Sequence, residues 1–312
     1  MDFDRSKLLS NPVLFGLLAT VWGGSFVAIE VGLTRVPPLL FAAFRYDVAG
    51  AVVLGYAALT RERWLPARRS EWLAVCASGA LLIAAFHALL YLGQGYVSGA
   101  VAAIVVSLVP LLTAVFDHAL GDLEIEPAGG VGLAFGFVGV AVVANPTPGA
   151  FDPSTLVGVG LVFLAAVSFA LGSVATGPLG SRLPVVPHQA WAMLVGGVVL
   201  HLASAVRGEP LVASTAVWTP TVLAAFAYLV VASSVVGYLL YFELLDRVGP
   251  AELNLVNYLV PVVAAVVGWA ALGQLLGPTA VTGFAVVFVG FALLKRDALC
   301  RVVRSHHFVA DC

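Results

Sequence analysis

A chain of 312 residues that is 61% hydrophobic and only 10% charged is excluded from the ordinary soluble class, in which roughly a quarter of residues are charged. Lipid is the expected solvent, and long apolar runs without period-two alternation select helices over a β-barrel. The net charge of −2, with no basic face, excludes nucleic acid as a partner, and three scattered cysteines (Cys76, Cys300, Cys312) with no CxxC give no disulfide framework.

Ten apolar segments follow in order, each close to the 20 or so residues that cross a bilayer: 12–34, 38–60, 72–93, 97–117, 127–145, 156–178, 187–206, 217–243, 251–272 and 279–295. The first is too long for a signal-peptide core and lacks a small-x-small exit, so it is expected to be retained. Short turns join the segments. The turn "NPTPGAFDPS" from Asn145 divides the chain into a five-helix unit (1–145), a loop (146–155), a second five-helix unit (156–295) and a basic tail (296–312). Twelve cationic residues (Arg5, Lys7, Arg61, Arg63, Arg68, Arg69, Arg182, Arg247, Lys295, Arg296, Arg301 and Arg304) share one side if both termini are cytoplasmic, against Arg35 and Arg207 on the other. The positive-inside rule therefore predicts a multi-pass plasma-membrane protein with N and C termini inside. His306, His307 and Cys312 lie in the tail, which fits an anionic leaflet better than a metal site. No metal and no cofactor are expected.

The second half repeats the first. Residues 107–143 fall on 258–294 at a constant shift of 151 with no gap, and "LVPLLTAV" from Leu108 lies on "LVPVVAAV" from Leu259. Pro110/Pro261, Pro127/Pro278, Gly132/Gly283 and Gly139/Gly290 superimpose. Five spans per unit is an odd number, so the second unit runs inverted relative to the first, an arrangement typical of transporters with a site at the repeat interface. The expected fold is all-α and polytopic: ten transmembrane helices as two inverted five-helix repeats.

Polar side chains in hydrocarbon must face protein or a wet cavity. In the first span Trp22, Phe26 and Glu30 align at i+4 steps, with Ser25 adjacent. Glu30 lies about 6 Å below the outer end, and Arg45 in the second span about 10 Å, at 1.5 Å per residue. An isolated intramembrane Arg costs several kcal/mol, so a structural or gating Glu30–Arg45 pair is favoured over substrate binding by either. Asp47 points away from Arg45, toward another helix. In the third span His87, Tyr91 and Gln94 follow at i, i+4, i+7, and Ser234, Tyr238 and Tyr241 repeat that spacing in the eighth. Such groups suit an organic solute of mixed polarity, although Tyr91 and Gln94, near the outer headgroups, also fit interfacial anchoring. His87 is a proton carrier or a hydrogen-bonded structural histidine. In the ninth span Asn254, Asn257, Tyr258 and Pro261 share one face, and Pro261 leaves the Asn257 carbonyl without its usual partner. The related stripe in the fourth span, Ala103, Val106, Ser107 and Pro110, is less polar, and Phe169, Gly172, Ser173 and Thr176 in the sixth give a weaker one. The glycines at 132, 136, 139, 283 and 290 fit close helix packing better than chemistry. The expected substrate cavity is therefore lined by Trp22, Ser25, Phe26, His87, Tyr91, Ser107, Tyr238, Tyr241, Asn254, Asn257 and Tyr258, with Glu30, Arg45, Pro110 and Pro261 in structural or gating roles.

These residues resemble the drug/metabolite transporter superfamily, in its ten-span branch of paired EamA domains. "WGGSF" from Trp22, Pro-Pro followed by Arg45, the mid-helix Pro110 and Pro261, and "LGQLLGPTAVTGFAVVFVGFALL" from Leu272 carry the resemblance, which covers nearly the whole chain. Two departures stand out: Gln274 replaces a common Glu (its ungapped partner is Leu123, beside Glu124), and Arg45 has Leu194 as its repeat partner. The resemblance implies secondary transport of small organic metabolites, often export, by alternating access, with proton coupling or exchange open. The rival class, an intramembrane protease or lipid-modifying enzyme, lacks HExxH and GxSxG; a Ser25–His87 pair is the arrangement it would use.

Overall fold

A computed structural model of the chain describes residues 10–120, 127–144, 152–179, 181–210, 215–253 and 256–294. Among them the regular structure is helical throughout: α1 (Asn11–Leu33), α2 (Pro38–Thr60), α3 (Arg69–Gln94), α4 (Gly99–Leu120), α5 (Pro127–Val143), α6 (Pro153–Ala175), α7 (Val185–Val206), α8 (220–253), α9 (Val256–Leu272) and α10 (Pro278–Leu294). Seven of these, α1–α4 and α6–α8, are long and apolar enough to cross a membrane. The other three, α5, α9 and α10, are apolar but have 17 residues each, about 26 Å at 1.5 Å per residue against a hydrocarbon core of about 30 Å.

Proline opens α2, α5, α6, α8 and α10 (Pro38, Pro127, Pro153, Pro220, Pro278), because its missing N–H is unpaired at a first helical position anyway and its φ is preset for the helix. Ser98, Asp152 and Thr219 cap α4, α6 and α8 by accepting from the backbone N–H groups of Val101, Ser154 and Val222. Three helices depart from regular α geometry. A wide π-helical turn spans Gly79–Ala85 in α3 and another Tyr228–Val236 in α8. The 151-residue shift carries 79–85 onto 230–236, inside the second turn. The third departure is in α4, which breaks between Val106 and Val109, just before Pro110, whereas α9 keeps Pro261 inside an unbroken helix.

Lipid tails are as apolar as leucine, so close packing and buried hydrogen bonds hold such helices together more than the hydrophobic effect does. Accordingly α5 lies on α10 at glycines: a side chain at Gly132 would strike the Gly290 carbonyl, and one at Gly139 the Gly283 carbonyl. Elsewhere α2 packs on α7, α1 on α9, α4 on α6, and α3 on both α6 and α7. Outward, large apolar side chains such as Leu59, Val198, Leu202, Val206 and Trp269 are exposed, as a bilayer-facing surface requires. Inward, Phe41, Tyr46, Ile83, Tyr91 and Met193 are fully buried and surround the polar centre.

Candidate functional site

Arg45 sits on α2 with 4% of its surface exposed. Nε donates to Ser234 Oγ at 3.1 Å, Nη1 to Tyr91 OH at 3.1 Å and Nη2 to Ser233 Oγ at 3.0 Å, and the guanidinium carbon lies 5.1 Å from the Tyr46 ring centroid. Two elements make this possible: the second half of α3 brings Tyr91, and the wide turn of α8 presents two consecutive serines to one side chain. Hydrogen bonds to a charged group contribute about 1.5–3 kcal/mol each, so the hydroxyls offset much of the cost of burying the cation. All three are neutral. The nearby acids are engaged elsewhere: Asp47 Oδ2 bonds His201 Nε2 on α7 at 2.6 Å, and Glu209 accepts from the Leu40 N–H at 3.0 Å and Ser204 Oγ at 2.9 Å, capping α2.

The expected Glu30–Arg45 pair is therefore corrected. Glu30 Oε2 accepts from the Gly99 N–H at 2.9 Å and Oε1 from Gln274 Nε2 at 2.5 Å. The start of α4 offers an unpaired backbone donor, and the α9–α10 turn offers an amide, so the carboxylate has no need of the guanidinium. Beside this knot Gln94 Nε2 donates to the Phe26 carbonyl at 2.9 Å. Anchoring of Tyr91 and Gln94 at the interface is also corrected: both are buried, at 0% and 5% exposure, because α3 turns that face onto α2 and α1.

His87 is buried beside the arginine. Its Nδ1 lies 2.9 Å from the Ile83 carbonyl and its Nε2 2.5 Å from Tyr46 OH. A carbonyl only accepts, which assigns the proton to Nδ1 and leaves Nε2 accepting from the tyrosine. His87 is thus clamped between Tyr46 and the wide turn of α3, where Ser168 Oγ also donates to the Leu81 carbonyl at 2.9 Å.

A second aromatic group forms where α1 meets α8. Trp22 contacts Tyr238 edge-on at 6.2 Å between centroids and Tyr241 at 5.6 Å, over Gly237. Tyr238 also lines a cavity of about 160 Å³ between α2, α7 and α8, together with Val52, Val53, Tyr56, Gln189, Val235 and Phe242. Tyr56, at the rim, is exposed.

Among the described residues, none of the remaining expected ones lines this cavity. Tyr258 is buried against Phe288 of α10, with centroids 6.0 Å apart. Asn257 is half-buried on α9, and Asn254 lies outside the described residues, as do Leu123, Glu124 and the basic tail. Ser25 Oγ and Ser107 Oγ bond back to their own helices, at the Trp22 and Ile104 carbonyls. Ser25 and His87 therefore form no pair. Sequence reasoning passed over Ser233, Tyr46 and Glu209. The signal for the serines was present in the demand of a deep arginine for partners, but nothing in the sequence said which helix would supply them.

Known proteins resemble the chain along nearly all its length. The profile described as "EamA-like transporter family" matches residues 11–145 and 156–296. The "Uncharacterized inner membrane transporter YedA" of Escherichia coli (strain K12) is 32% identical over 295 residues, covering 88% of this chain and 90% of its own. The "Uncharacterized transporter YvbV" of Bacillus subtilis is 27% identical over 285 residues, 91% of each chain. "Protein PecM" of Dickeya dadantii is 28% identical over 276 residues, 88% of each. A chain of known crystal structure superposes with a TM-score of 0.65 at 20% identity, covering 91% of this chain and 97% of that one.

Proposed function

We propose that this chain, which belongs to the EamA-like transporter family, is a secondary transporter that moves small organic metabolites, in the export direction, by alternating access between two inverted five-helix units (1–145 and 156–295). It is a membrane transporter by family and by its apolar helices; the solute, the direction and the cycle are our reading. The two-unit, ten-span arrangement is supported by packing that respects a twofold exchange of the units, and the placement of both termini in the cytoplasm rests on the bias of cationic residues in the sequence. The 151-residue shift turns the α1–α9 contact into α6–α4, and the α5–α10 contact maps onto itself, Gly132–Gly290 becoming Gly139–Gly283.

The observation that carries the reading is the seam at Arg45. A polar centre buried at membrane depth joins Arg45 and Tyr91 of the first unit to Ser233 and Ser234 of the second. A cavity elsewhere on α2 and α8 also takes its walls from both units. Opposing half-sites that meet at mid-membrane are what a rocking mechanism needs. At the outer end the Glu30 knot ties α1 to α4 and to the α9–α10 turn, which we read as the closed gate, with the cavity left at the other end. An enzyme reading finds no support in Ser25 and His87, which bond elsewhere.

The test is reconstitution of purified protein into liposomes and a solute screen with and without a pH gradient. Saturable flux above protein-free liposomes is expected for at least one small organic solute, and its dependence on the gradient reports proton coupling. Absence of flux across the screen contradicts the proposal. Cysteines placed near Arg63 should label from the cytoplasmic side, and labelling only from outside would overturn the orientation.

A further inference from the structure

The guanidinium of Arg45 never loses its charge, yet among the described residues it contacts only neutral oxygens and an aromatic ring. A guanidinium has five N–H donors, and three are used, leaving one on each terminal nitrogen. Those nitrogens belong to the planar fork that suits a carboxylate. Buried in low dielectric without a counter-charge, the site strongly favours an incoming anion over a neutral or cationic group. Val235 and Tyr238, on the same stretch of α8 as Ser233 and Ser234, line the cavity between α2, α7 and α8. The rest of the wall is apolar or aromatic, from Val52, Val53, Tyr56, Val186, Leu239 and Phe242, apart from the amide of Gln189. A volume of about 160 Å³ holds a body of roughly benzene size with a short arm.

We propose that Arg45 recognises the carboxylate of a solute with a compact apolar or aromatic body, which enters through the cavity between α2, α7 and α8 and reaches the guanidinium past the ring of Tyr238. This rests on the transporter reading and narrows it to organic anions. It also reassigns Arg45 from a structural partner of Glu30 to a substrate-contacting residue. The serines and Tyr91 hold the fork in place between transport events and keep the empty site folded.

Three probes with one body and different heads test this: phenylacetate, phenylacetamide and phenethylammonium. Thermal stabilisation of the purified chain in neutral detergent should follow that order, with phenylacetate acting at a concentration at least tenfold below the amide. Arg45→Gln should abolish the order. Arg45→Lys, which keeps the charge and loses the fork, should retain it with a smaller margin, so the test survives if the Gln variant fails to fold. A wild type that takes no probe, or takes all three alike, overturns the proposal, as does a folded Arg45→Lys protein without the preference. An arm with phosphatidylglycerol in mixed micelles separates a lipid headgroup from a solute: stabilisation by the lipid that vanishes in the Arg45 variants overturns the solute assignment. Flux of the same probes in liposomes keeps the two readings apart. Carboxylate-selective binding without flux defeats the transporter reading and leaves Arg45 as the anion site. Flux indifferent to headgroup, and intact in Arg45→Gln, defeats the Arg45 assignment and leaves the transporter reading standing.

Discussion

Near the C-terminal end of α1 a carboxylate is held by a backbone N–H and a side-chain amide drawn from two other helical regions. Deeper, on α2, a guanidinium is held by three hydroxyls. Both groups are ionisable, both are in spans, and each is satisfied without the other. The difference lies in what each has left to give. Gly99 lies at the start of a helix and Gln274 in the turn between two others, so the Glu30 knot joins the ends of separate helices and can serve as a lock. The Arg45 centre is held by three hydrogen bonds, keeps an N–H to spare on each terminal nitrogen and is uncompensated in charge, which suits a receptor. An ion pair between the two would have neutralised both roles.

The largest effect expected from breaking this comparison is at Arg45. Arg45→Gln should lower transport of any solute the protein carries by about 100-fold, from loss of about 3 kcal/mol of charge-assisted recognition. Its folded yield, read by size-exclusion chromatography, should fall less than twofold, because removing a buried charge also removes its desolvation cost. Next comes Glu30→Gln, which weakens two charge-assisted bonds by about 1–2 kcal/mol in total. In a cysteine-free background, labelling of Val97→Cys from outside should accelerate about tenfold. Gln274→Glu, which introduces the acid common in the resembled family, sharpens the lock further. Two facing carboxylates hold together only while they share a proton. The knot should hold at pH 5 and loosen as pH rises, with Val97→Cys labelling a few-fold faster at pH 8. Asn257→Leu should have the smallest effect, a change in transport of less than about threefold, in line with a half-buried position. A loss there equal to that of Arg45→Gln would move the site onto α9 and end the comparison.

How much of this was legible follows from what periodicity can encode. The spans could be read because each is a long apolar run opened by proline or a polar cap, as at Pro38, Asp152 and Thr219. The glycine contacts of α5 and α10 could be read because the repeat doubled them. The wide turns could not, since nothing in "GALLIAA" or "YLVVASSVV" departs from an ordinary apolar helix. Their effect is large: an extra residue per turn rotates everything after it, so the stripe of Ser234, Tyr238 and Tyr241 divides. Ser234 turns to Arg45, and the two tyrosines turn to Trp22. Partner choice was hidden for a different reason. Ser233 and Ser234 lie 188 and 189 residues from Arg45, and helix spacing says nothing about which helices become neighbours. Glu30 looked like the partner on depth alone, and depth cannot register a free N–H at Gly99.

If Arg45 receives the solute while Glu30 holds the gate, one paired measurement separates the two residues. Phenylacetate binding and phenylacetate exchange are measured on the same preparations of wild type, Arg45→Gln and Glu30→Gln. Arg45→Gln is expected to lose binding and exchange together, while Glu30→Gln binds within about twofold of wild type and differs only in exchange rate, since a gate changes populations and not contacts. Equal loss of binding in both variants, or binding that survives Arg45→Gln, would contradict this division of roles.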